Sequence, residues 1–286
     1  MIIQNLNSTS LSDITKCFNE SFEDYIIQFT ATEDYLRNRW KGAGVDFGLS
    51  FGAFIDRKLV GFVIHGIDEW HGLKTAFNVG TGVIPKHRGK RIVKKFYETT
   101  IPILKDHGIE QCRLEVIQEN LKAINAYKSV GFQEDRELIS FSYNLDHKKD
   151  ETALDKHIQL KIRDNISNID WNLLKTFWDF DPSWENSNSS LMRNAESWEF
   201  LEMSNDNQMI GYAIFNPKTG YIAQFGTSKE EREKGYIKVL FQKLRSLSNQ
   251  LVVINVDKRA IQILNFLKTF GFKEFVKQYE MEKSLI

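Results

Sequence analysis

Two short stretches of this chain carry residues whose types and spacing can do chemistry. The first is Pro85–Thr100, PKHRGKRIVKKFYETT, where six of the first eleven residues are Lys or Arg and one is Gly89. It follows the apolar segment Val79–Ile84 and runs into a helical pattern. A strand, a basic glycine-containing turn and a helix can make an anion site. The first turn of a helix has unpaired N–H groups and a partial positive charge, and a pyrophosphate accepts several such bonds at once. Gly89 lets the backbone approach a ligand with no Cβ in the way. Lys86, Arg88, Lys90 and Arg91 add screened attraction. Basic residues at a helix start oppose the dipole by about 0.3–1 kcal/mol each, a cost that a bound anion would offset. Alone, the stretch reads equally well as a solvated helix start.

The second stretch is Asn120–Phe132, NLKAINAYKSVGF. Asn120 ends a strand, Ala123 and Tyr127 share a helix face, and Gly131–Phe132 turn the chain into a further strand. On its own, Tyr127 reads as an aromatic side chain packing on that face. Together the stretches resemble the GNAT superfamily of acyl-CoA-dependent N-acyltransferases, whose signature is V-x-P, then R-G-x-G-x-G/A opening a helix, then N-x-x-A-x-x-x-Y-x-x-x-G-F. The matching residues are Val83, Pro85, Arg88, Gly89, Asn120, Ala123, Tyr127, Gly131 and Phe132. The second and third loop glycines of the pattern fall on Arg91 and Val93.

The resemblance implies acetyl-CoA as cosubstrate, with no metal, and a primary amine as acceptor, either a small molecule or a peptide. Acetyl-CoA would lie in a V between the strand ending at Ile84 and the strand Gln111–Ile117. Main-chain groups of Thr81, Gly82, Val83 and Ile84 would pair with the pantetheine, as an added strand pairs with a sheet edge, with Asn120 as a side-chain partner. The pyrophosphate would sit on Arg88, Gly89, Lys90, Arg91, Ile92 and Val93. A main-chain N–H of Val83 or Ile84 would meet the developing oxyanion, a donor worth about 3 kcal/mol. Tyr127 matches the general acid that returns a proton to the thiolate. A phenol with pKa near 10 facing a thiol near 8.5 is about 2 kcal/mol uphill, which is tolerable for a proton shared in the transition state. The general base is open among Glu115, Asp68, Glu69 and His71, with Glu115 taken as the candidate and a water relay as the substitute. The alternative reading is a CoA-binding regulatory module of the same fold with weak or no catalysis.

The elements that must position these residues repeat. Leu49–Ile55, Leu59–Ile67 and Thr75–Ile84 read as strands. The next helix places Ile92, Val93, Phe96, Tyr97, Thr100, Ile101 and Leu104 at three- and four-residue steps, with Pro102 expected to kink it. RGKRIVKKFYETT from Arg88 sets against REKGYIKVLFQKL from Arg232, and YKSVGFQEDRELISFSYNL from Tyr127 against LKTFGFKEFVKQYEMEKSL from Leu267. From Arg to Gly-Phe takes 43 residues in the first half and 39 in the second. The fold expected is therefore α+β, three-layered, as two GNAT-like domains, each a mixed, mostly antiparallel twisted sheet flanked by helices. The expected division is 1–147 catalytic, 148–157 a polar linker, and 158–286 a diverged second copy. That copy keeps Arg232 and Gly235, has Ile237 at the last loop position, and has Leu267 where Tyr127 stands. Ser228 and Glu231 there have the spacing of a capping box. It is expected to bind CoA poorly or not at all.

Of the 286 residues, 38 are basic and 38 acidic. No net charge draws the chain to nucleic acid or to a membrane, and neither is expected as a partner. Cys17 and Cys112 have no metal or redox spacing and read as small buried side chains. The expected setting is cytoplasmic, as a monomer or homodimer.

Overall fold

The computed structural model describes residues 1–26, 29–144 and 157–286, and only the backbone of Glu231 and Glu233. Residues 148–156 of the expected linker lie outside the described residues. The first repeat runs β1 (Ile2–Asn5), α1 (Leu11–Phe22), α2 (Glu33–Ala43), β2 (Phe51–Ile55), β3 (Lys58–Trp70), β4 (Leu73–Val83), α3 (Ile92–Asp106), β5 (Gln111–Ile117), α4 (Leu121–Lys128) and β6 (Gln133–Asn144). The second runs in the same order: β7 (Ile158–Arg163), α5 (Trp171–Thr176), α6 (Asn188–Arg193), β8 (Glu199–Asn205), β9 (Gln208–Asn216), β10 (Tyr221–Thr227), α7 (Tyr236–Leu247), β11 (Gln250–Asp257), α8 (Ile261–Phe270) and β12 (Lys273–Ser284).

The compact units do not follow the repeats to their ends. Unit 1 is Met1–Arg136 with Tyr279–Ile286, and unit 2 is Glu137–Gln278. The expected boundary at 147 thus differs from the division observed, because the last strand of each repeat changes unit along its length. In unit 1 the end of β12 lies beside β5, and Leu285 N–H donates to Glu110 O at 2.8 Å. Arg113 donates to Glu280 and Glu282 at 2.7 and 2.6 Å and also to Asp135, while Arg136 donates to Glu280 at 2.7 Å. In unit 2 the end of β6 pairs antiparallel with β11, from Leu138 to Asn144.

Within unit 1, β1 to β4 pair antiparallel in sequence order, and β5 joins β4 in parallel. β3 is longer than the sequence suggested. Asp68, Glu69 and Trp70 belong to it, and the turn is His71–Gly72, with φ of 52° and 80°. Two consecutive left-handed residues match the twist of a tight hairpin. One face of the sheet carries α3 and α4, whose apolar steps bury Tyr97, Leu104, Ile124 and Tyr127 against Ala76, Cys112, Leu114 and Val116. α3 continues through Pro102 to Asp106. Both cysteines are buried, and burial pushes each thiol up to about 12. Unit 2 repeats this order from β8 to β11, with a separate core of Phe200, Tyr212 and Ile214 under α5 and α6.

Candidate functional site

In unit 1, β4 and β5 pair over only four residues, Thr75–Asn78 against Gln111–Leu114. β4 then bulges at Val79, where the register to β3 shifts between Ile64 and His65. A bulge bends its strand and raises the local twist, so β4 leaves β5 and an edge opens from Val79 to Val83. The direction of each main-chain group on that edge follows from one bond. Ile84 N–H donates to Val60 O at 3.0 Å, so Ile84 faces β3. In an antiparallel pair these groups alternate. Gly82 therefore also faces β3, and Thr81 and Val83 face the open edge. This corrects the expectation that all four residues serve a pantetheine: Gly82 and Ile84 are committed to β3. Of the two candidate oxyanion donors, Val83 has its N–H on the open edge and Ile84 does not.

The basic turn is held by its own chain. Arg88 donates to both carboxylate oxygens of Asp24 (2.6 and 2.7 Å), to Ser21 O (2.9 Å) and to Val83 O (3.0 Å). Its guanidinium braces the turn against the end of α1, and holds the Asp24 carboxyl below its ordinary range. Gly89 has φ 75° with nothing within 4 Å of an added Cβ, and Arg91 caps α3 in the left-handed region at φ 55°. Lys90 is exposed, while the Ile92 and Val93 side chains turn to the core. The N–H groups that open α3 have no helical acceptor, and Gly89, two residues before the cap, adds no side chain to the turn. This local shape fits a pyrophosphate bound by main-chain groups. Asn120 is an N-cap: its Oδ1 accepts from Ala123 N–H at 3.1 Å. Its amide donates to Tyr25 Oη at 3.5 Å, leaving less of it for a pantetheine than expected.

Where the strands part, a polar cluster lies under α3 and α4. Asn78 Nδ2 donates to Thr81 Oγ1 (2.8 Å), Tyr97 Oη (2.9 Å) and Tyr127 Oη (3.5 Å). Directly across the strand pair from Asn78 is His65. Its Nδ1 donates to Leu49 O at 2.6 Å, which leaves Nε2 an acceptor, buried without a partner. Burial lowers His65 to about 4, so it is neutral at pH 7. Burial raises Tyr127, opposed by hydrogen bonds from Thr81 and Asn78. Burial raises Tyr97 as well, against the same two neighbours.

Glu115 follows the last β4–β5 pair. Its neighbour Leu114 packs with Tyr127, so strand alternation sends Glu115 to the opposite face of the sheet. Asp68 and Glu69 pair with Thr75 and Lys74, three and four residues from Asn78, or roughly 10 and 13 Å along the strand. With His71 at the hairpin tip, the structure does not gather them at Tyr127. Sequence reasoning missed Asn78, Tyr97 and His65. Their signal was a lone polar group inside each apolar run, TAFNVG and FVIHGI, and a tyrosine where the matching helix of the second repeat has Phe241.

Unit 2 has the same frame. β10 pairs with β11 only at Tyr221 and Ile222 and bulges at Ala223. Ser228 N–H donates to Ile210 O as Ile84 does to Val60 O. The α-helix does not start at Ser228 as a capped end: a 3-10 run, Lys229–Lys234, precedes Gly235, which caps α7 at φ 73°. Ser228 Oγ donates to Glu230. The cluster, however, is absent. His65, Asn78, Thr81, Tyr97 and Tyr127 correspond in register to Phe215, Ile222, Phe225, Phe241 and Leu267, all members of one apolar core. Where Gly80 leaves only Phe62, 3.9 Å from an added Cβ, unit 2 places Gln224. That side chain donates to Asn186 O (2.7 Å) and Asn188 Oδ1 (2.9 Å). The adjoining cavity is about 10 Å³, room for one water.

Among the described residues, no cluster of side chains fits a metal ion, and no helix is long and apolar enough to cross a membrane. The model of the acetyltransferase (GNAT) family matches residues 13–132. No curated protein matches the chain. Among solved structures, a GCN5-related N-acetyltransferase from Sphaerobacter thermophilus is similar over 99% of this chain and 95% of its own, at 13% identity and TM-score 0.72. A tandem GNAT protein from the clavulanic acid biosynthesis pathway is similar over 100% and 98%, at 10% identity and TM-score 0.71. A putative acetyltransferase from Pyrococcus horikoshii is similar over 99% and 89%, at 13% identity and TM-score 0.70. At these identities the likeness is one of fold.

Proposed function

Residues 13–132 match the model of the GNAT acetyltransferase family, and on that premise we propose that unit 1 transfers an acetyl group from acetyl-CoA to a primary amine. The observation that carries this is the junction where β4 parts from β5, with Tyr127 beside it and an open strand edge leading to the turn at Gly89. Thr81 N–H and C=O and Val83 N–H are turned to that edge and would pair with the amide groups of a pantetheine, and the N–H groups that open α3 would take its phosphates.

Bound there, acetyl-CoA supplies a thioester carbonyl for a neutral amine to attack. Val83 N–H donates to the carbonyl oxygen as it gains charge; the preorganised donor costs no reorganisation at that moment. Tyr127 gives its phenol proton to the departing sulfur. Glu115, on the opposite face of β5, is the carboxylate able to take a proton from the amine on that side. The acceptor is a small-molecule or peptide amine.

An assay of thiol release from acetyl-CoA over a panel of primary amines tests the reading. Tyr127→Phe lowers turnover at least tenfold with acetyl-CoA binding nearly intact; an unchanged rate removes Tyr127 from the chemistry. Calorimetric titration of the whole chain gives one acetyl-CoA per molecule, because Gln224 and the apolar core occupy the corresponding space in unit 2. Two equivalent sites would overturn that assignment. A second reading, a CoA-binding module without turnover, draws on the charged Arg91 at the α3 cap. Tight binding with no thiol release from any amine would favour it.

A further inference from the structure

Four polar side chains besides Tyr127 sit behind the proposed reaction centre. They are His65, Asn78, Thr81 and Tyr97, and nothing in the fold requires them. Unit 2 builds the same strand pair, bulge and two helices with Phe215, Ile222, Phe225 and Phe241 at those positions. Burying polar groups costs free energy unless they are hydrogen-bonded, and hydrocarbon does the packing in unit 2. The polarity of unit 1 is therefore tied to something packing does not supply.

The directions of the bonds show what that is. Asn78 Nδ2 can only donate, and it donates to Thr81 Oγ1 at 2.8 Å and Tyr97 Oη at 2.9 Å. With an oxygen lone pair of Thr81 taken, its hydroxyl proton can go to Tyr127 or Tyr97, and one of the two Nδ2 protons of Asn78 is shared with Tyr127 Oη at 3.5 Å. The bond from Asn78 brings a proton to Tyr127 Oη, and with Thr81 donating beside it the phenol's own proton points outward to the split between β4 and β5. We propose that Asn78, with Thr81 and Tyr97, is a positioning device that receives the oxygen of Tyr127 and turns its proton toward the sulfur of the acyl donor. His65, opposite Asn78 and neutral, closes the cluster from β3 without adding a charge. The titratable groups that bear on the two phenols are Tyr127 and Cys112 of β5 on Tyr97, Tyr25 after α1 on Tyr127, and His65, whose ring centroid lies 6.5 Å from that of Tyr97.

This inference rests on the acetyltransferase reading, so its tests include one that needs no turnover. Asn78→Asp puts an acceptor-only carboxylate where the donor was, which draws the proton of Tyr127 inward. At pH 8 the variant loses at least 20-fold in kcat, with the KM for acetyl-CoA within threefold of the parent. As the pH falls to 5.5 the introduced carboxylate takes up a proton and becomes a donor again, and the ratio of variant to parent kcat rises at least fivefold. A flat ratio, or a kcat within threefold of the parent, overturns the proposal, since a purely structural residue would not invert its effect with pH. The second test is thermal. Asn78→Ile alone leaves both phenols without their donor and lowers Tm. The set His65→Phe, Asn78→Ile, Tyr97→Phe and Tyr127→Leu, the unit 2 residues, restores Tm to the parent value or above. Tm losses that simply add would show no shared network and also overturn the proposal. If the parent releases no thiol with any amine, the acetyltransferase reading fails and the Tm comparison decides the cluster by itself.

Discussion

The two units share what looks most chemical in the sequence and differ in what does not. Arg88 grips Asp24, and Arg232 grips Asp179 at 2.8 Å. Both loops end in a left-handed cap, at Arg91 and Gly235, and both central strands bulge before the split. These shared features belong to the scaffold. The loop arginine, prominent in both halves, therefore does not distinguish the unit proposed to be catalytic. The distinction lies at inward-facing positions: five polar side chains in unit 1 where unit 2 has five apolar ones. Polarity moves to the other face in unit 2, where Trp178 Nε1 donates to Tyr212 Oη at 2.7 Å and Tyr212 Oη donates to Gln224 at 3.2 Å. There it fills the space that Gly80 leaves open.

The largest effect that would sharpen this contrast is in the strand whose end each unit takes from the other repeat. In unit 2, β6 brings Phe141 and Ser142 opposite Val253 and Val252. In unit 1, β12 brings Glu280, fully buried between Arg113 and Arg136. Removing one partner of a buried ion group leaves uncompensated charge, at a cost of about 3–5 kcal/mol. Glu280→Gln should lower unit 1 stability by that amount in urea unfolding, with hydrogen exchange rising in unit 1 first. A loss under about 1 kcal/mol would mean that the arginines are satisfied without it.

Next in size is an acid sensitivity that only unit 1 should have. His65 is lowered to about 4 by burial, against about 6.5 in an unfolded chain. The unfolded state takes up the proton first as pH falls, so this part of the stability is complete above about pH 6.5 and is lost between there and about 4, by about 3 kcal/mol in all. His65→Phe, which installs the residue of unit 2, should flatten that part of the pH–stability curve. The same slope in parent and variant would remove His65 as its source.

Much of the fold was legible in the residues. The repeat, the strand–turn–helix at Pro85 and the helix carrying Tyr127 all showed as period and spacing, which local chain geometry enforces. The bulge at Val79 did not, because nothing in TAFNVG distinguishes a bulged residue from a paired one; it appears only when β3 sets the register. The direction of Ile84 N–H and the service of Arg88 to Asp24 were hidden for the same reason, since each depends on a partner distant in sequence. The exchange of final strands was invisible because β6 and β12 read alike wherever they pair. Asn78 and Tyr97 were visible as residues but not as neighbours.

The smallest effect bears on the loop position where the family pattern asks for glycine. Arg91 holds φ 55° and Gly235 holds φ 73°, each as the cap before its helix. The left-handed region costs an L-residue roughly 1–2 kcal/mol, and a cation at a helix start adds a few tenths through the dipole. Glycine is free of both but loses more chain entropy on folding. The balance predicts that Arg91→Gly stabilises unit 1 by about 1 kcal/mol. The reverse change should cost unit 2 a similar amount, and conformation alone would account for it, because a Cβ at Gly235 meets nothing within 4 Å. Urea midpoints of the two variants check the pair. Opposite signs make the cap a shared backbone requirement that unit 1 meets with a strained residue. A loss in both would mean that the Arg91 side chain stabilises the turn in its own right.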